Sequence, residues 1–299
     1  MADIVGVLVM AYGTPRDRDD VEAYYTDIRR GRPPTPEHLA DLVRRYDAIG
    51  GTFPLREITE QQATALAAAL ERLEPGTFAV EVGTRHSTPS IEAGVRALVD
   101  TGAAHIVGLV LAPHYSQMSI GAYIEKAAKA AAEHQATIDV IESWHLLPAY
   151  VDFLAGAVAE ALARVPADSE VVFTAHSLPE RILDTGDPYP AQLQETANAV
   201  AAQLGLAKWS VGWQSAGRTP QAWLGPDVLE VIRDRATHKA PGLVACPCGF
   251  VADHLEVAYD LDIEAAALAG ELELPFTRTA TLGTTPAVID ALALMILER

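Results

Sequence analysis

Six short β-prone runs in this chain are each followed by side chains able to hold protons, metal ions or anions. Tyr12 follows Ile4–Met10, Arg85 and His86 follow Phe78–Val82, and His114 and Tyr115 follow Ile106–Ala112. Trp144 and His145 follow Ile138–Ile141, His176 and Ser177 follow Val171–Ala175, and Gln214 and Ser215 follow Trp209–Trp213. Four of the nine histidines thus lie within four residues of a run's end. Imidazole is both a base near neutral pH and a borderline metal ligand, so the set suits proton transfer or metal handling. A second set is acidic: Glu256, Asp260 and Glu264 recur at steps of four, with Asp262 beside them. On an α-helix that spacing places three carboxylates on one face, where like charges repel by about a few tenths of a kcal/mol per pair. Aimed into a cleft, such a row attracts cations and raises its members' pKa values.

Each candidate also has a structural reading. His176 precedes Ser177, which with Glu180 fits a capping box, as do Thr59-x-x-Gln62 and Asp253-x-x-Glu256. A cap role would account for Glu256, and a solvated stripe for the rest of the row. Cys246 and Cys248 are the only cysteines, too few for a disulfide framework or a four-ligand metal site, and read as small buried side chains at a strand end. Arg16, Arg18, Arg29, Arg30, Arg32, Arg44, Arg45 and Arg56 fall within one 41-residue stretch beside eight acids. Most suit a solvated helical face; a subset could form forks for ligand carboxylates.

The elements that must position these side chains follow from periodicity. Two further β-prone runs, Gly242–Ala245 and Phe276–Thr279, bring the total to eight. Between most runs lie Ala/Leu-rich segments with helical spacing, among them Glu60–Leu73, Ile91–Asp100, Tyr123–His134 and Val151–Arg164. This alternation predicts an α/β fold with mostly parallel sheets flanked by helices, arranged as two similar halves. Successive runs start 28–38 residues apart except for a first gap of 74, which predicts an Arg-rich insertion over 16–56 with two short helices broken at Gly31-Arg32-Pro33-Pro34. The expected domains are 1–114, 115–275, and a strand and helix over 276–299 that pack back on the first. In open α/β sheets ligands bind beyond the carboxyl ends of the strands, so the reactive residues should converge there. No GxGxxG, P-loop or Gly-x-Ser-x-Gly elbow occurs, which leaves nucleotide binding and serine hydrolysis unsupported.

With 22 Lys plus Arg against 40 Asp plus Glu, the net charge is −18, which argues against nucleic acid as a partner. At 49% hydrophobic the chain can bury a large core. Its longest apolar runs are about a third of the roughly 18 residues a membrane span needs, and Met1-Ala2-Asp3 lacks a signal peptide's basic region. A soluble cytoplasmic protein is expected, and a monomer.

Taken together, Leu8-Val-Met-Ala-Tyr12-Gly-Thr-Pro15, Ala112-Pro-His114, Ala175-His176-Ser177-Leu-Pro179-Glu180, Gly186-Asp-Pro-Tyr-Pro190, Gly212-Trp-Gln-Ser215, Trp223-Leu-Gly-Pro-Asp227 and Gly249-Phe-Val-Ala-Asp-His-Leu-Glu256 resemble the ferrochelatases, and most of all the soluble bacterial coproporphyrin III ferrochelatases. The resemblance spans essentially the whole chain. It implies two Rossmann-like domains with a porphyrin cleft between them, the chelatase fold. It implies that His176 and Glu256 are the catalytic and metal-handling pair, and that Tyr12 approaches the metal from the opposite macrocycle face. It places Arg29, Arg45, Tyr46, Phe53 and Tyr123 among the porphyrin contacts, with Phe53 standing where relatives often carry a small hydroxyl residue. Asp260 and Glu264 become an outer cation path, with Mg²⁺ as a further occupant.

The implied activity is insertion of Fe²⁺, a substrate rather than a cofactor, into coproporphyrin III to give coproheme in haem biosynthesis. Protoporphyrin IX as substrate, or a non-catalytic porphyrin or haem carrier, are the alternatives. No tightly bound cofactor and no iron–sulfur cluster are expected, and contacts with neighbouring haem-pathway enzymes would be transient.

Overall fold

The computed structural model describes residues 4–217 and 219–299. It contains two four-stranded sheets in which every pairing is parallel. The first holds β1 (Val5–Ala11), β2 (Phe78–Thr84), β3 (His105–Val110) and β4 (Thr137–Ile141), in the order β2-β1-β3-β4. The second holds β5 (Glu170–His176), β6 (Trp209–Gln214), β7 (Leu243–Cys246) and β8 (Phe276–Arg278), in the order β6-β5-β7-β8. One topology is used twice, as the two similar halves predicted. The central strands β1 and β5 are buried along nearly their whole length, which is why they read as continuous apolar runs rather than alternating ones.

The helices of the first half are α1 (Val21–Ile28), α2 (Pro36–Ala48), α3 (Pro54–Leu73), α4 (Ile91–Asp100) and α5 (Ile120–Glu133). The insertion breaks where expected, with Gly31 at φ +79° and Thr35 accepting from the His38 amide to cap α2. Helix α4 lies so close to the sheet that a Cβ on Gly94 would sit 2.7 Å from Leu8 Cδ1 and 2.9 Å from the Val82 carbonyl. In the second half, α6 (Pro148–Leu162), α7 (Tyr189–Leu204) and α8 (Val228–Thr237) flank the sheet, followed by a helical stretch from Leu255 to Glu271. Among the described residues, no helix is long and apolar enough to cross a membrane.

The domain limits differ from those expected. One compact unit extends to Trp144 and takes up Gly283–Arg299 again; the other is His145–Leu282. The expected break at 114/115 is wrong because β4 pairs with β3, from His105↔Thr137 to Leu109↔Ile141, so the chain remains in the first sheet for one more βα step. Periodicity cannot separate the last βα step of one sheet from the first of the next. The segment 276–299 also divides: β8 completes the second sheet, whereas the helix Pro286–Leu297 packs on α3, with Arg72 paired to Asp290 at 2.6 Å.

All three expected capping boxes fail. Thr59 lies inside α3 and bonds back to the Leu55 carbonyl; Ser177 is buried and donates to the Leu224 carbonyl. Asp253 is drawn instead into an ion pair with Arg278. The box that does form, Asp227 with Glu230 at the start of α8, has the same spacing.

Candidate active site

In the order β2-β1-β3-β4 the chain leaves β1 in one direction and returns past it to β3, so the switch point lies beyond the carboxyl ends of β1 and β3; in the second sheet it lies beyond β5 and β7. Tyr12 immediately follows β1, and His176 is the last residue of β5. Both thus lie at the carboxyl end of the central strand of their own sheet, offset by one residue: His176 matches Ala11, and Tyr12 matches Ser177.

The four strand-end histidines are sorted by their surroundings. His114 is buried; the side chain of His86 is 14% exposed against Asp27 at 2.7 Å, and that of His145 is 12% exposed against Glu195 at 2.8 Å. His176 is more open, with 34% of its side chain exposed and its Nε2 lying 3.5 Å from Glu256 Oε1. Its Nδ1 faces the Ser177 carbonyl, which orients the ring and leaves Nε2 toward Glu256. Burial works against charge on this ring, but the Glu256 carboxylate, the Ser177 carbonyl and the more distant Asp260 outweigh it and raise the pKa to about 9. The resting pair is thus imidazolium and carboxylate, rather than the neutral base that a free histidine would be at pH 7.

Glu256 sits in the first turn of the helical stretch, and it is not a cap. His254 is the N-cap residue, its Nδ1 accepting from the Val257 amide at 3.2 Å, while burial lowers its own pKa. The carboxylate of Glu256, 41% exposed, faces His176. From Ala258 to Ala265 the helix is of the π type, closed by i→i+5 bonds, so the acidic row does not follow the α-helical face predicted for it. Asp260 is 6% exposed and accepts the Ser215 hydroxyl; Asp262 is held by Arg278 at 2.7 Å; Glu264 is exposed, and its charge adds to burial in raising the Asp227 carboxyl. Asp260 belongs with the pair, whereas Glu264 belongs to the surface.

The remaining expected contacts are in the first unit. Tyr12 is 41% exposed and packs against the His86 ring, centroids 4.7 Å apart. Tyr46 and Phe53 face each other at 4.5 Å and line a cavity of about 430 Å³ together with Arg16, Arg18, Val21 and Val43. Arg45 pairs with Asp41 at 3.3 Å, and Arg29, at the end of α1, donates to the Arg32 carbonyl at 3.3 Å. Tyr123 is 4% exposed within the core, with the Arg85 guanidinium 5.6 Å above its ring; burial pushes its phenol up and Arg85 pulls it down.

Three arrangements escaped the sequence reading: the Asp27–His86 pair, the Arg278 clamp on Asp253 and Asp262, and the bonds that tie Thr174, Gln214 and Glu256. Gln214 and His86 are recognisable as strand-end residues, but nothing in their spacing names their partners. Among the described residues, no group of three or more His, Cys, Asp or Glu side chains is gathered to hold a metal ion. One imidazole and one carboxylate can bind a divalent ion loosely and move protons, which is the chemistry of transfer rather than storage.

Comparison with known proteins follows the same line. A family model described as Ferrochelatase matches residues 4–299. A coproporphyrin III ferrochelatase of Geobacillus kaustophilus is 45% identical over 302 residues, covering 98% of this chain and 95% of its own. That of Bacillus subtilis is 44% identical over 303 residues, covering 99% and 97%. Among solved structures, the sirohydrochlorin chelatase SirB from Bacillus subtilis subspecies spizizenii, in complex with cobalt, aligns with a TM-score of 0.63 at 13% identity over 99% of this chain and 94% of that one. CbiX, a terminal enzyme of sirohaem biosynthesis in denitrifying bacteria, aligns at 0.55 with 18% identity over 98% of each chain. At those identities the structures speak for the fold alone.

Proposed function

The chain belongs to the ferrochelatase family, and from that premise we propose that it inserts Fe²⁺ into coproporphyrin III, with His176 and Glu256 as the catalytic pair. The observation that carries this reading is the 3.5 Å approach of His176 Nε2 to Glu256 Oε1 at the switch point of the second sheet. The reaction takes up one Fe²⁺ and releases two pyrrole protons, so charge balances only if both protons are removed. A nitrogen that ligates a metal must first be deprotonated, and an arriving dication favours that loss from the imidazolium. Fe²⁺ then exchanges water for Nε2 and the Glu256 carboxylate. As the metal passes to the macrocycle nitrogens, these two groups are left basic and accept the pyrrole protons. Both are partly exposed, which gives the protons a route to water. A closed four-ligand site would retain the metal.

In the same reading, Asp260, fixed by Ser215, keeps negative potential beside the pair, while exposed Glu264 gathers divalent ions, Mg²⁺ among them, by charge. Tyr12, Tyr46 and Phe53 contact the porphyrin, and Arg29 and Arg45 bind its carboxylates, whereas Tyr123, 4% exposed in the core, lies beneath the Arg85 guanidinium and supports it from behind. Phe53 offers an aromatic edge in place of a hydroxyl, so this chain loses one hydrogen bond to a propionate. The test is an initial-rate comparison, without oxygen, of coproporphyrin III against protoporphyrin IX. The reading expects a clear preference in kcat/KM for the tetracarboxylate; equal values or the reverse order would displace it in favour of protoporphyrin.

A further inference from the structure

The alignment of Glu256 with His176 depends on a side chain from a third segment. Gln214 is the last residue of β6 and lies directly opposite His176 in the parallel ladder. Paired positions in a sheet project to one face, and Thr174, two residues before His176, shares that face too. Gln214 is 1% exposed and Thr174 is fully buried. The Thr174 hydroxyl donates to Gln214 Oε1 at 2.9 Å, and Gln214 Nε2 donates to the backbone carbonyl of Glu256 at 3.0 Å. The amide's orientation is chemically determined, because the Glu256 carbonyl can only accept and must therefore face the NH₂ end. The Gln214 carbonyl in turn accepts from the Ser177 amide at 2.7 Å, extending the ladder past His176. One residue is thus bonded on both sides: by its backbone to the segment carrying the imidazole, and by its side chain to the turn carrying the carboxylate.

We infer that Gln214 is a positioning residue for iron insertion, fixing the Glu256 turn against the end of β5 through an amide aimed by Thr174. This rests on the reading of Glu256 as a proton and metal acceptor. The backbone carbonyl that Gln214 holds belongs to the single turn Leu255–Val257, which leads into the π-helical segment Ala258–Ala265. Without the bond from Gln214, the Glu256 side chain would sample several positions relative to Nε2.

The experiment is a double-mutant cycle on the full chain, read as kcat and as KM for porphyrin, with thermal unfolding of every variant. Gln214→Leu should lower kcat by roughly ten- to a hundredfold, as expected of a misplacement near 1 Å, with porphyrin KM changed less than about twofold. In a Glu256→Gln background the same change should cost less than about threefold, because the group it positions is already gone. Thr174→Val, which keeps the volume and removes the hydroxyl that aims the amide, should reproduce a smaller part of the kcat loss, and Thr174→Ser should restore it. Should Gln214→Leu not fold, the Thr174 pair carries the test alone. A wild-type kcat in folded Gln214→Leu, or losses that multiply fully in the cycle, would overturn the proposal. If instead Glu256→Gln is itself silent, the reading of Glu256 fails and takes this inference with it, whereas slow Glu256→Gln with normal Gln214→Leu refutes the positioning role alone.

Discussion

Replacing Glu256 by Gln should change the titration of His176 as well as the rate. The carboxylate lies 3.5 Å from Nε2, and opposite unit charges about 4 Å apart near a protein surface attract by about 4 kcal/mol at an effective dielectric of about 20. With 34% of the histidine side chain and 41% of the glutamate exposed, solvent screening reduces that figure to about half or less. Even half of it exceeds the 1.36 kcal/mol equivalent to one pH unit. Glutamine keeps the volume and loses the charge, leaving burial opposed only by the Ser177 carbonyl and Asp260. The imidazole pKa should then fall from about 9 toward 6.5, the value of a free histidine. The assay is an NMR titration of the ring protons, with the His176 signal identified by its absence in His176→Ala. Stability should follow with a definite sign. Because the folded pKa is raised, the pair's contribution is fully present below pH 6.5 and is lost as pH rises through about 9. In Glu256→Gln that decline should flatten. An imidazole still titrating near 9 in the variant would show that Glu256 is not its partner, and the catalytic pairing would fail with it.

Arg29→Ala and Arg45→Ala should each weaken binding of a tetracarboxylate porphyrin more than a dicarboxylate one, by roughly 1.5–3 kcal/mol for a lost charge-assisted bond; equal losses in fluorescence-quenching titrations would make both residues structural. Arg278→Met should destabilise the second unit by roughly 1–2 kcal/mol in denaturant unfolding, since it removes the one guanidinium that pairs with both Asp253 and Asp262, two partly exposed carboxylates; no change would mean that water replaces the clamp. Gly249→Ala should be destabilising by about 1–3 kcal/mol, because its Cβ would lie 2.4 Å from Ala175 Cβ, next to His176; a stable, fully active variant would show that the turn yields freely.

The fold was largely legible because burial dictates it. All eight strands form within two residues of the β-prone runs that predict them, and burial on both faces makes the central strand β1 an unbroken apolar run. What failed was whatever depends on tertiary partners. Asp253-x-x-Glu256 and Asp227-x-x-Glu230 are indistinguishable as spacings, yet Arg278 takes the first aspartate out of its cap while the second remains in place. The regular steps of Glu256, Asp260 and Glu264 suggested one α-helical face, but a π segment and the Ser215 hydroxyl send Asp260 inward. His176 and Glu256 were named through the resemblance; their approach, and the charge it imposes on the imidazole, required coordinates.

Metallation of a porphyrin through His176 can be observed directly. Wild-type protein and His176→Ala, each incubated without oxygen with coproporphyrin III and Fe²⁺, should be followed by absorbance for the change from the free-base to the metalloporphyrin spectrum. The wild type should turn over, and the variant should lose about 10²–10⁴-fold, the range typical of a missing general base, while porphyrin binding measured by fluorescence quenching survives. A variant retaining more than about a tenth of the wild-type rate, or a wild type that binds coproporphyrin without metallating it, would rule out that role for His176.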